Sequence, residues 1–234
     1  MTHHLKASPE TCHWGYFDAR VAPALTIASG DTVTIESVSG TAEVLPPTGF
    51  HVPPDKAHRL AACYAADGRG GKTLQDDPAS SSYLAPPSFV SGGGGLCATA
   101  ADYLTFCRAM LNRGELDGVR LLGPKTLALM TSNHLPGGRD LTQLSKSMFS
   151  EATYAGVGFG LGFSVTLDPA QTMIAGSAGE YAWGGAATTS FWIDPAEDMI
   201  VIFMTQLLPS SAYPVRRELR SMIYAAITAS NLNR

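Results

Sequence analysis

Apolar residues along this chain come in short blocks, and their spacing changes from block to block. Between Ser177 and Pro195 the sequence runs from small residues past Tyr181 and Trp183 and over Gly184-Gly185. It then enters an apolar run that closes on Asp194-Pro195. Aromatic and β-branched content predicts a strand over 182–193, and Asp-Pro predicts a turn after it. A second apolar run at 199–205 makes the pair a predicted hairpin. The segment 157–165 carries glycine at alternate positions, which leaves one bare face for close packing. Strands at 157–167, 182–193 and 199–206 together predict an antiparallel meander. Tyr103, Phe106, Cys107, Met110 and Leu111 recur at helical spacing and predict a helix with one buried stripe. Thr99 and Asp102 are its expected N-terminal cap pair, and Asn112-Arg113-Gly114 its stop. A hairpin is expected through Asp117-Gly118, then a short helix over 124–132 opened by Pro124. Residues 133–152 are polar and irregular. A last helix, near 212–229, sets Leu219, Met222, Ile223, Ala226 and Ile227 on one face, with Arg216, Arg217 and Arg220 elsewhere.

Upstream the pattern is different. Segments 21–26 and 31–38 alternate apolar with polar residues around Ser29-Gly30-Asp31, which predicts strand, tight turn, strand. Such a hairpin is marginal alone and belongs to a larger β structure. The Pro-rich stretch 46–54 predicts a linker, and 65–91, rich in Gly, Asp, Ser and Pro, predicts a long surface loop. The expected fold class is therefore α+β: an antiparallel sheet with packed helices over 48–234, preceded by a short all-β segment over 1–47.

Composition narrows the function classes. A hydrophobic content of 45% is ample for a core, while 15% charged residues and a net charge of -4 lack the clustered cations that nucleic acid requires. No apolar run reaches membrane-spanning length, and Met1 to Lys6 carry no apolar signal region, so neither a membrane nor a nucleic-acid partner is expected. Cys12, Cys63, Cys97 and Cys107 show no C-x-x-C spacing and predict free thiols and a cytoplasmic location. Adjacent His3 and His4 point to opposite sides of a strand, and with His13 they make a poor chelate. His51 and His58 are separated by a Pro-Pro break. A zinc site wants three or four donors in defined geometry, so no metal and no other cofactor is expected. The glycines from Gly92 to Gly95 precede a helix but lack G-K-[ST], which argues against a phosphate loop.

The candidate chemistry lies at Trp183-Gly184-Gly185. Glycine inside a strand marks either a bulge or a close approach by a ligand or another backbone, and beside a tryptophan it suggests the wall of a cleft. These residues, with the helix that follows, resemble the third motif of serine hydrolases of the β-lactamase and penicillin-binding-protein superfamily, most closely its esterase-type branch. The passage from Ser91 to Asp102 is similar to the Gly-Gly-Leu-x-Ser/Thr-x-x-Asp passage of the same branch. The resemblance covers 50–234 and implies a partial β-lactamase/transpeptidase-like fold. It further implies that Tyr181, Trp183, Gly184, Gly185 and Ala186 line the substrate site, with the Ala186 N–H as half of an oxyanion hole. A preorganised donor of that kind contributes roughly 3–4 kcal/mol to acyl transfer. A different resemblance marks the start. His3 to Thr11, then His13-Trp14-Gly15-Tyr16-Phe17-Asp18, Ser29 to Val33 and Glu43 to Pro46 are similar to the opening of acetamidase/formamidase enzymes, which are metal-assisted amide hydrolases. The two resemblances meet near 46–54 and predict a chimera.

Two of the three motifs of the superfamily pattern are missing. Its nucleophile is the Ser of Ser-x-x-Lys, with a Tyr-x-Asn or Tyr-x-Ser for proton transfer, because a serine hydroxyl is unreactive without an adjacent base. The residues three before Lys6, Lys56, Lys72, Lys125 and Lys146 are His3, Pro53, Arg69, Leu122 and Gln143. No tyrosine is followed two later by Asn or Ser, and Gly176-Ser177-Ala178-Gly179 does not fit G-x-S-x-G. No catalytic residue is assigned. The chain is expected to be a truncated serine hydrolase that acts on no small-molecule ester or amide by itself. Two alternatives stand beside this: an amide hydrolase of the acetamidase type, or a non-catalytic module that binds a ligand or partner. An uncovered apolar face would favour a homo-oligomer.

Overall fold

A computed structural model describes residues 2–5, 32–35, 51–89, 91, 95–144 and 154–231. The expectations for 21–26, Ser29-Gly30-Asp31, Cys12, His13, Gly92 to Gly94 and most of the linker lie outside the described residues. The chain forms two compact units interleaved in sequence: Met1–Ala62 with Leu74–Asp102, and Cys63–Thr73 with Tyr103–Arg234.

In the first unit, β1 (Thr2–Leu5) and β2 (Thr32–Ile35) pair in parallel, with His3 opposite Val33 and His4 opposite Thr34. Of the strand expected at 31–38, residues 32–35 are described and form a strand, and the partner described for it is β1. A 3-10 turn over Pro54–Arg59 follows, with proline in its first turn. The Val52 N–H donates to the Tyr83 carbonyl at 2.7 Å, and Ser81 donates to Asp76 at 2.7 Å. Thr99 and Asp102 cap each other: the Asp102 N–H donates to Thr99 Oγ1 at 3.2 Å, and the Thr99 N–H to Asp102 Oδ2 at 2.9 Å. This is the predicted arrangement.

The second unit begins where a loop was expected. β3 (Cys63–Ala66) turns back through Asp67 into β4 (Lys72–Asp76), whose first two residues belong to this unit. Asp67 makes the turn, its Oδ1 accepting the N–H groups of Arg69 at 2.8 Å and Gly71 at 2.9 Å. Polar composition hid a hairpin, because an Asx turn needs only one well-placed carboxylate. α1 (Ala100–Leu111) enters this unit at Tyr103 and ends as predicted, with Arg113 and Gly114 at positive φ. The hairpin of β5 (Glu115–Leu116) and β6 (Val119–Arg120) turns through Asp117 and Gly118, both at positive φ. α2 (Pro124–Met130) follows, and then α3 (Leu141–Leu144) in a stretch expected to be irregular. A capping box starts α3: the Gln143 N–H donates to Asp140 Oδ1 at 3.0 Å, and the Asp140 N–H to Gln143 Oε1 at 3.3 Å.

The main sheet is an antiparallel meander of five strands, not three. Its order is β11 (Met199–Phe203), β10 (Ser190–Asp194), β9 (Tyr181–Gly184), β8 (Ser164–Thr166), β7 (Val157–Phe159). Each of two predicted long strands is a hairpin. The first turns at 160–163, where Gly162 has a φ of 100°. The second turns at 185–189, where Thr188 has a φ of 72°. The first turn is Gly-Leu-Gly-Phe and the second is glycine, alanine and threonine, and neither interrupts an apolar pattern. The β10–β11 hairpin through Asp194-Pro195 is as predicted, with Trp192 opposite Val201.

β10 is buried on both faces, which its residues Ser-Phe-Trp-Ile-Asp reflect. On one face Phe191 and Ile193 join Tyr181, Val165 and Phe163 against Cys107 and Met110 of α1 and Leu127 of α2. On the other, Trp192 and Ala182 meet Tyr224 of α5 (Val215–Ala225), with Leu219 and Ile223 beside it. The unit is thus helix, sheet, helix. α5 is shorter than predicted, and Met222, assigned to its buried face, is 70% exposed. β12 (Leu207–Leu208) leaves the sheet and pairs in parallel with β3.

Charged groups lock α5 to the sheet. Glu180 is 1% exposed and Asp194 0%. Arg220 forms an ion pair with Glu180, and its guanidinium lies 4.6 Å from the centre of the Trp192 ring. The Tyr224 hydroxyl lies within hydrogen-bond reach of both Glu180 and Asp194, the latter at 2.8 Å. Burial first, and then the charge of Glu180, push the Tyr224 phenol far above its ordinary value.

Candidate active-site strand

The five residues singled out from sequence all sit on β9 and the turn after it, but they face different surroundings. Tyr181 is 3% exposed, and its ring meets Phe163 edge-on at 5.2 Å. It is a core residue and not part of an exposed wall. Trp183, two residues on and on the same face, is 37% exposed and packs edge-on against Phe159 at 5.1 Å. These two rings form an apolar surface at the end of the strand.

Gly184 and Gly185 are bare because protein atoms crowd them. A Cβ on Gly184 would stand 2.7 Å from Nη2 of Arg216 and 2.8 Å from the Thr189 carbonyl. One on Gly185 would stand 2.4 Å from Thr189 Oγ1. The close approach inferred from sequence is therefore made by an arginine from α5 and by the turn itself. Arg216 Nη2 donates to the Gly185 carbonyl at 2.6 Å and to the Thr189 carbonyl at 2.8 Å. Burial pulls the Arg216 guanidinium below its ordinary value, and the neighbouring Tyr154 opposes that shift. Sequence reasoning placed Arg216 only on the non-apolar side of its helix. A basic residue in a first helical turn carries no sign of what it will meet.

The turn itself is well determined. The Gly185 N–H donates to the Thr189 carbonyl at 3.0 Å and the Thr188 N–H to the Gly185 carbonyl at 3.1 Å. Thr188 Oγ1 donates to the Leu207 carbonyl at 2.6 Å, and the Leu207 N–H to the Ala187 carbonyl at 3.1 Å. Ala186 is exposed, and among the described residues its N–H has no acceptor. An unsatisfied donor on a fixed, open turn is what binding an oxyanion requires.

Three candidate nucleophiles or bases of this unit are otherwise engaged. Ser164, beside Ala182 on the neighbouring strand, donates its hydroxyl to the Ala182 carbonyl at 2.9 Å. Cys107 is 0% exposed, and burial pushes its thiol up to about 12, so it stays protonated. Lys72 packs its ammonium 4.6 Å from the centre of the Tyr64 ring. Among the described residues no three His, Cys, Asp or Glu side chains gather as metal ligands, and no helix is long and apolar enough to cross a membrane.

Comparison with known proteins agrees with the fold. The Beta-lactamase family matches residues 41–224. The "Protein Rv1367c" of Mycobacterium tuberculosis is 37% identical over 165 residues, which is 69% of this chain and 40% of that protein. The chain thus spans about 40% of the length of the curated relatives it matches. Among solved structures, unliganded simvastatin synthase from Aspergillus terreus is 25% identical, with a TM-score of 0.59 over 75% of this chain and 45% of that one. EstCE1, a hydrolase with promiscuous acyltransferase activity, is 22% identical, with a TM-score of 0.56 over 75% of this chain and 46% of its own. The resemblance of residues 1–47 to acetamidase/formamidase enzymes is not shown by these comparisons, and the family match begins at residue 41. The family match takes in most of the chain and the fold is shared, so the chain belongs to the Beta-lactamase family, within the β-lactamase-like serine hydrolase superfamily.

Proposed function

We propose that this chain carries the oxyanion side of a β-lactamase-like acyl-transfer site, and that the 234 residues by themselves do not turn over esters or amides. The observation that carries this reading is the N–H of Ala186, an exposed residue, without an acceptor among the described residues and on a turn fixed from both sides. Trp183 and Phe159 supply an apolar surface beside it for an acyl or alcohol group. A synthase and a hydrolase with acyltransferase activity among the solved relatives support an ester-type substrate. Against turnover stands the absence of Ser-x-x-Lys and of Tyr-x-Asn or Tyr-x-Ser. An oxyanion hole and binding alone leave only a small part of a serine hydrolase's rate.

The test is direct. Incubated with a p-nitrophenyl ester, the purified chain is expected to release nitrophenol no faster than buffer does. With a fluorophosphonate probe it is expected to take up no label. Stoichiometric labelling of one serine would overturn the reading.

A further inference from the structure

We propose that Arg216 is a positioning residue for the Ala186 N–H, holding and polarising from behind the sheet the peptide unit that presents this donor. The proposal rests on the oxyanion reading above. The Gly185–Ala186 bond is trans, since Leu208-Pro209 is the cis bond among the described residues. In a planar trans peptide the C=O and N–H point in opposite directions. Whatever fixes the Gly185 oxygen therefore fixes the direction of the Ala186 hydrogen. Arg216 fixes that oxygen at 2.6 Å, on the side where a Gly184 side chain would have been. The Ala186 N–H then points away from the guanidinium.

The contact is charge-assisted, and such bonds are shorter and stronger than neutral ones. A cation drawing on a carbonyl also polarises the amide bonded to it, which raises the partial positive charge on the N–H. The guanidinium makes no ion pair with a carboxylate among the described residues, unlike Arg220 four positions along the same helix. Its charge acts on the two carbonyls of the turn. Gly184 is the residue that makes this approach possible, because any side chain there would occupy the space of the guanidinium.

Gly185-Ala186 is the single Gly-Ala step in the sequence. Chain made with carbonyl-13C glycine and 15N alanine therefore gives one HNCO peak, that of this peptide. The peak is to be followed in wild type, Arg216→Lys and Arg216→Gln. Loss of charge in Arg216→Gln is expected to move the Gly185 carbonyl and Ala186 proton upfield and to slow base-catalysed exchange of that proton several-fold. Arg216→Lys, which keeps the charge, is expected to lie between the two. A merely structural clamp predicts the opposite sign, because a loosened turn exchanges no slower. Unchanged shifts, or equal or faster exchange in both variants, would overturn the proposal. Titration of wild type with phenylphosphonate separates the two readings. A downfield shift of the Ala186 proton supports the donor role. No shift sinks the oxyanion reading, while the response to Arg216 still reports whether the arginine controls the peptide.

Discussion

Gly184 is the residue at which a small change has the largest local consequence. Its missing side chain leaves the space through which Arg216 reaches two carbonyls, and the Thr189 carbonyl closes the same space from the other strand. A flexible arginine can withdraw, but the backbone oxygen at 2.8 Å cannot. Gly184→Val is therefore expected to destabilise the second unit by about 1–3 kcal/mol through overpacking, read as a lower urea midpoint. It should also abolish the Arg216 effect on the Gly185-Ala186 peptide. The sequence pointed to this glycine pair as a place of close approach, and that inference was sound. What approaches lies 32 positions away in the chain, and nothing local to either residue encodes the meeting.

The attachment of α5 to β10 is a cluster of polar groups within an apolar contact. Tyr224 has one phenolic proton and two carboxylates within reach, so it links Glu180 and Asp194, while Arg220 balances the charge of Glu180. Asp194 also accepts the Ala196 N–H at 3.0 Å and the Glu197 N–H at 3.3 Å, so the turn after β10 and the helix share one side chain. Tyr224→Phe leaves a buried carboxylate short of a donor and is expected to cost about 1–3 kcal/mol. Arg220→Met strands the Glu180 charge and is expected to cost more, about 3–5 kcal/mol, by the same urea measurement. From sequence, the arginines of this helix were placed only off its apolar face, and Asp194 was read as turn chemistry. Only the turn role of Asp194 was legible, because an Asp-Pro turn is decided within four residues.

For the molecule taken together, acid is the informative perturbation. Burial would raise Asp140, but the Gly156 N–H, the Thr142 hydroxyl and the Gln143 N–H outweigh it and hold the carboxyl below its ordinary value. Asp102 is held low chiefly by the Thr99 N–H, with Lys56 and Arg59 adding to it. A lowered folded value means the unfolded chain takes up these protons first. Their stabilisation is complete above the ordinary carboxylate value of about 4 and drains away as pH falls through the lower folded values. Urea midpoints are expected to hold from pH 7 to 5 and to fall below pH 4. Asp140→Asn should flatten that slope while costing about 1–2 kcal/mol at neutral pH, because the amide nitrogen that replaces Oδ2 cannot accept the buried Gly156 N–H. The same contrast separates what was legible from what was not. By itself the sequence determined the helix stripe of α1, the Thr99–Asp102 cap, the Asp117-Gly118 hairpin, the Asp194-Pro195 turn and the place of the Gly-Gly pair. Each is decided by residues within a few positions of one another. The tertiary structure alone decided that two apolar runs are hairpins, that Tyr181 is core while Trp183 is exposed, that Glu180, Asp194 and Tyr224 meet, and that Arg216 stands behind the Ala186 donor. Those outcomes depend on which surfaces the sheet buries, and burial is a property of contacts between segments that no single segment carries.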